Sequence, residues 1–167
     1  MTPDYSLGEV QVALKPLERF EEYIQAKEMR MTQQRRTMIE HVFSRHEHFD
    51  ADELIESLAK VPNAGKVSRA TVYRTLEEMV EAGLLRKMTL SNRAVYEHDY
   101  GYPQHDHLHC KICDDLIEFQ SDELLEIREA VARLYGFRVT GHRLIITGVC
   151  EACRHKQHRQ HSPLDLI

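Results

Sequence analysis

No stretch of this 167-residue chain approaches the roughly 18 consecutive apolar residues that a membrane span needs. Its opening, MTPDYSLGEVQ, lacks the basic region and apolar run of a secretory leader. These absences lead us to expect a cytoplasmic protein with no membrane partner. The enzyme signatures H-E-x-x-H, G-x-S-x-G and the P-loop are also missing, and there is no internal repeat. Positive charge is not in excess: the formal net charge of −5 argues mildly against nucleic acid, because affinity for a phosphate backbone comes from clustered Lys and Arg. Cysteine is sparse, with four residues in two close pairs. Without a sign of export, metal binding is a better reading of them than two disulfides.

Net charge averages away a local pattern. Lys60, Lys66, Arg69 and Arg74 run from Ser57 to Leu76 without an acid among them, Arg30, Arg35 and Arg36 form a second group, and Arg86, Lys87 and Arg93 a third. Scattered Lys and Arg ordinarily mean solvated surface. Here the three groups bracket one helix-turn-helix candidate, which favours DNA.

Residues 1–16 carry no sustained periodicity and read as a mobile or loosely docked arm. Leu17, Phe20, Tyr23 and Ile24 predict a first helix ending near Met29. Thr32 suits an N-cap for a second, with Met38, Ile39, Val42 and Phe43 on its apolar stripe. A third starts at Asp50 or Ala51 and is stopped by the turn-rich segment 61–67, and Ser68 caps a fourth that ends at Gly83. Residues 84–89 and 93–97 read as a hairpin across Ser91-Asn92. Helices followed by such a hairpin make a winged helix, and Gly101 and Pro103 mark the boundary after it. Beyond lie strands at 107–110 and 115–119, an amphipathic helix at 121–135 with Leu124, Leu125, Ile127 and Val131 near its apolar face, and one or two strands within 137–149. So small a β-α-β piece needs a staple or a partner chain.

Cys110-Lys-Ile-Cys113 and Cys150-Glu-Ala-Cys153 are two C-x-x-C knuckles. Together they complete the tetrahedral four-thiolate shell that Zn²⁺ prefers, with no position left for a substrate water, so the zinc is expected to be structural. Redox-active or unpaired thiols are minority readings. His105-Asp106-His107-Leu108-His109 precedes the first knuckle. In a strand, residues 105, 107 and 109 project to one face, so His105 and His107 can share a metal, with Glu118 on the next strand able to close on it. Imidazoles and carboxylates suit Fe²⁺, Mn²⁺ or Zn²⁺. His41 is read as an ordinary surface or core histidine, and His155, His158 and His161 as a solvated tail.

Ala70-Thr-Val-Tyr-Arg-Thr75, His105-Asp-His-Leu-His-Cys110 and both cysteine pairs, in this order, resemble the ferric uptake regulator (Fur) family, from about Phe20 to Cys153. The resemblance implies an α+β chain, with an N-terminal winged helix-turn-helix at 17–98, a hinge at 99–104 and a small α/β dimerisation domain with a four-cysteine zinc site at 105–167. It implies DNA binding through Arg30, Arg35, Ser68, Arg69, Thr71, Tyr73 and Arg74. Tyr73 and Arg74 would meet bases and phosphates, and Arg30 an adjacent minor groove. It further implies a regulatory metal held by His48, Glu97, His105, His107 and Glu118, and an additional site of which only Asp106 and His142 remain. There Gln104 stands for a histidine and Leu125 for a glutamate. His109 replaces an aliphatic residue. Glutamates at 97 and 118 favour Fe²⁺ sensing over the peroxide-sensing branch, and the absence of a fifth cysteine disfavours the zinc-sensing one. The expected activity is metal-dependent repression by a homodimer on an AT-rich palindromic DNA operator. Manganese or peroxide response remains open, and a zinc enzyme or a metal buffer are the readings from other classes.

Overall fold

The computed structural model describes Leu7 and residues 10–45, 47–61 and 67–160, the last five of these by backbone alone. The turn-rich 62–66, including Lys66, and His161 lie outside the described residues, as does most of the arm before Val10. The chain separates into two compact units, Glu9–Pro103 and a second that begins at Gln104.

In the first unit the order is α1 (Pro16–Ala26), α2 (Gln33–Phe43), β1 (Phe49–Asp50), α3 (Ala51–Leu58), α4 (Arg69–Glu81), β2 (Leu85–Leu90) and β3 (Arg93–His98). Side-chain oxygens set the helix starts. Thr32 accepts from the Arg35 amide, Asp50 from those of Asp52 and Glu53, and Ser68 from that of Thr71, each satisfying donors that the helix cannot. The apolar stripes then meet in one core built from Phe20, Ile24, Met38, Ile39, Leu54, Val72, Leu76 and Met79, closed by Leu84, Leu85 and Tyr96 of the sheet. The sheet runs β1-β3-β2, all antiparallel, and the wing hairpin turns through Ser91 and Asn92, both at positive φ. Two such residues form the turn whose twist suits a two-residue hairpin.

Two features of the elements depart from expectation, and the arm takes one of its two expected states. α1 ends at Ala26 rather than near Met29, because Glu28 takes φ 55° and the Met29 amide returns to the Ile24 carbonyl. This is the same closure that Gly83 gives α4, made here without glycine. β1 is too short to carry a period. The arm's last residues are docked: the Leu14 amide and carbonyl both engage the Tyr100 hydroxyl, and Val12 packs on Gly101.

The second unit contains β4 (Asp106–Cys110), β5 (Leu116–Phe119), α5 (Asp122–Leu134), β6 (Ile145–Gly148) and α6 (Glu151–Gln160), with sheet order β5-β4-β6. β4 and β6 are parallel, so α5 serves as the crossover between them. Of residues 137–149 only 145–148 form a strand, and the polar segment after Cys150 is helical. Leu124 and Leu125 are partly covered, but Ile127 is 60% and Val131 53% exposed in the single chain, with Leu134, Tyr135 and Phe137 more so. The outer part of the stripe expected to face a core therefore lies on the surface of one chain. A unit with so little apolar interior calls for a staple or a partner chain, as expected from its size.

Candidate metal centres and DNA-facing helix

α4 is amphipathic in the manner of a reading helix. Val72, Thr75, Leu76 and Met79 are buried, whereas Arg69, Ala70, Tyr73 and Arg74 line the opposite, exposed face. The Ser68 hydroxyl caps the helix and also meets the Thr71 hydroxyl at 2.9 Å. Arg69 rests on Asp52 at 2.6 Å, an exposed pair that exchanges readily for another anion. Arg30 is exposed in the loop before α2.

Arg35 departs from a DNA-facing role. Its guanidinium, 11% exposed, grips both carboxylate oxygens of Glu78 in α4, at 2.8 and 2.5 Å, and donates to the Arg30 carbonyl at 2.6 Å. The fork matches the carboxylate, so Arg35 fastens α2 to α4 and holds the Arg30 loop rather than reaching outward.

The four thiols converge because parallel strands end level. In the β4–β6 register Cys110 lies beside Gly148, and the Lys111 amide donates to the Gly148 carbonyl at 2.9 Å. Cys113 follows on a tight turn closed by Asp114, at φ 57°, and Cys150 and Cys153 enter α6. All four sulfurs lie within 4.8 Å of one another, with Cys113 to Cys150 at 3.8 Å. Four sulfurs about 2.3 Å from a tetrahedral zinc are about 3.8 Å apart, so the donor set fits that ion. Electrostatics agree. Backbone amides of Cys150, Cys113 and Ile112 hold the Cys110 thiol down to about 6. Burial and then the neighbouring thiols push Cys153 up to about 12. One thiolate is prepared, and Cys113 and Cys153, both held in the thiol form, await a cation.

Each unit carries histidine and carboxylate side chains brought together by its own sheet. In the second, His107 lies opposite Glu118 in the β4–β5 ladder, the His105 and His107 rings stand 4.7 Å apart, and His105 Nε2 is 3.7 Å from Glu118 Oε1. The ligand atoms of these three residues lie within 4.8 Å of one another, an N,N,O set fit for a first-row divalent ion. In the first unit, His48 Nε2 lies 3.3 Å from Glu97 Oε2 at the end of the wing. Arg86, legible in the sequence only as surface charge, stands 3.8 Å from Glu97 and bonds Asp99.

Asp106 and His142 do meet, at 3.1 Å, but Gln104 and Arg128 join them. Arg128 is a further residue that sequence reasoning passed over. Its position one helical turn beyond Leu125 was the available signal. His109 bonds Asp114 at 3.1 Å across the first knuckle's turn.

The family model for the ferric uptake regulator family matches residues 26–147. The chain is 28% identical over 140 residues to a ferric uptake regulation protein of Campylobacter upsaliensis, covering 84% of this chain and 90% of that one. It is 31% identical over 128 residues to the peroxide-responsive repressor PerR of Staphylococcus aureus, covering 77% and 84%. A solved structure of a zinc-bound manganese uptake regulator is 35% identical, with a TM-score of 0.59, over 79% of this chain and 98% of that one. No helix among the described residues is long and apolar enough to cross a membrane. With the motifs, the fold and the donor clusters in agreement, the chain belongs to the ferric uptake regulator family of metal-responsive, dimeric, DNA-binding transcription regulators, and is not an enzyme.

Proposed function

We propose that this chain is a repressor that grips an AT-rich palindromic operator as a homodimer when Fe²⁺ is bound. Residues 17–98 bind DNA, 99–104 act as a hinge, and 105–167 dimerise. Cys110, Cys113, Cys150 and Cys153 hold a structural Zn²⁺. The observation that carries the reading is the pairing of imidazole with carboxylate in both units, His48 with Glu97 in one and His105 and His107 with Glu118 in the other. Joined on one Fe²⁺, these five side chains fix the hinge angle. In a two-fold dimer that angle sets the spacing of the two α4 helices, so half-sites about one DNA turn apart are engaged together only in the loaded state. Tyr73 and Arg74 then meet bases and phosphates, with Ser68, Arg69 and Thr71 at the helix start beside them. Arg30 enters the flanking minor groove, and Arg35 acts by positioning it.

Nitrogen and oxygen donors without thiolate suit Fe²⁺ and Mn²⁺ alike, and glutamates at 97 and 118 favour iron sensing over peroxide sensing. The likeness to a manganese uptake regulator makes Mn²⁺ the second reading. The test is operator binding with Fe²⁺, Mn²⁺ or no added ion at two salt concentrations. Binding should require the ion and weaken with salt, and Fe²⁺ should act at lower free concentration than Mn²⁺. Arg74→Ala should weaken binding, and His107→Ala should uncouple it from the ion while leaving zinc and dimer intact. Dimer loss in His107→Ala would refute the division between structural and sensory sites.

A further inference from the structure

The family resemblance leads one to look for a further ion at Asp106 and His142, and the side chains there do not fit one. Asp106 is 3% exposed, its Oδ1 accepting from the Leu144 amide at 3.1 Å and its Oδ2 lying 3.1 Å from His142 Nε2. The other ring nitrogen, Nδ1, faces Gln104 Nε2 at 2.9 Å and Arg128 Nη1 at 3.0 Å. A guanidinium only donates. The Gln104 amide is oriented as a donor too, because the same Nε2 lies 2.9 Å from the His142 carbonyl oxygen. Nδ1 is therefore the acceptor, and Nε2 carries the hydrogen given to Asp106. Both ring nitrogens are engaged, and a fixed positive charge stands where a divalent ion would have to approach.

We propose that the guanidinium of Arg128 takes the place of a metal ion here, so that Gln104, Asp106, Arg128 and His142 form a metal-free clasp. Leu125 supplies no ligand. Arg128, one turn along α5, supplies the cation, with Glu129 bonding its Nε at 3.1 Å and its Nη2 at 2.7 Å so that Nη1 is left for His142. The clasp ties α5 to β4 and to the segment entering β6. Gln104 is itself anchored by the Gln120 side chain, which donates to its carbonyl at 2.6 Å. In a unit with few buried apolar residues, such a network fastens the helix whether or not any ion besides zinc is present.

The experiment is an ion count on the full-length, zinc-loaded dimer, dialysed to equilibrium against Co²⁺ or Zn²⁺. His142→Ala should leave the number of ions per chain unchanged; loss of one ion would overturn the clasp. Gln104→His with Arg128→Glu, which exchanges the cation for ligands, should gain one ion per chain. A folded double variant that gains none refutes exclusion by Arg128. Because His142→Ala can destabilise the unit, the imidazole ¹⁵N spectrum of the wild-type protein is the independent reading. At saturating Zn²⁺ the His142 Nε2 should keep its hydrogen, whereas a shift to a metal-bound position overturns the proposal.

Discussion

Removing either partner of the Arg35–Glu78 pair should destabilise the first unit far more than removing both. The two side chains are 11% and 10% exposed, so each relies on the other in place of water. Breaking a buried pair by losing one partner typically costs about 3–5 kcal/mol. The two losses are not equivalent. In Arg35→Met the abandoned carboxylate can take up a proton, which for an ordinary glutamate at pH 7 costs about 4 kcal/mol and so caps the penalty. In Glu78→Leu the guanidinium cannot discharge, and keeps the Arg30 carbonyl and a weak acceptor, the Met29 sulfur at 4.0 Å. Glu78→Leu should therefore sit at the upper end of the range, Arg35→Met at or below about 4 kcal/mol, and the double substitution near zero. Urea unfolding of the zinc-loaded chain measures all three, with hydrogen exchange at α2 and α4 amides assigning the transition to this unit. Operator affinity should divide differently. The double variant folds but no longer holds the Arg30 carbonyl, so its binding should weaken, and adding Arg30→Ala should weaken it little more. Singles whose costs simply add in the double, or Arg30 and Arg35 effects that add on DNA, would refute both the buried pair and the positioning role.

Two further outcomes follow from the donor clusters and from burial. Stripping zinc should unfold the unit beginning at Gln104, because metal-binding free energy there is folding free energy; unchanged circular dichroism and hydrogen exchange after chelation would contradict this. Burial first, and then the hydrogen bond donated to Glu81 at 2.8 Å, raise Tyr23 to about 12. The folded state thus favours the neutral phenol. Its contribution is complete below about pH 10 and disappears as pH rises towards about 12. A tyrosinate absorbance titration should lose a late-ionising group in Tyr23→Phe, while Tyr96, which burial also raises, still ionises late.

What could be read from the sequence was what depends on near neighbours. Thr32, Asp50, Ser68 and Ser121 cap helices with oxygens two or three residues from the amides they satisfy. Ser91-Asn92 suits the backbone of its own turn. The thiol and histidine clusters were legible because C-x-x-C and H-x-H bring donors together by local geometry. What escaped depends on distant partners. Glu28 ends α1 in a left-handed conformation that a glycine would have announced. α6 has no apolar stripe, and among its described side chains Cys153 is the one buried. The outer α5 stripe is legible as apolar but not as exposed, since one chain does not show its partner. Arg35 belongs to a basic cluster in sequence and to Glu78, 43 residues away, in space.

On the functional reading and the clasp proposed above, the second unit would resolve one physical problem three times with different cations. Four thiols gathered within 4.8 Å of one another suit a thiophilic divalent ion, and their spacing fits zinc. His105, His107 and Glu118 offer harder donors with one carboxylate, which under the proposed function would hold a first-row ion more weakly than four thiolates and so respond to its concentration. At Asp106 and His142 the charge comes from the chain's own Arg128, which neither dissociates nor discharges at any physiological pH. On that reading a permanent staple, a responsive site and an ion-independent clasp would lie within one small fold. Their division follows from whether the donor is sulfur, imidazole with carboxylate, or a group already held by a guanidinium. On the proposed function only the second would vary with the supply of a labile metal, so that only there would occupancy carry information to DNA.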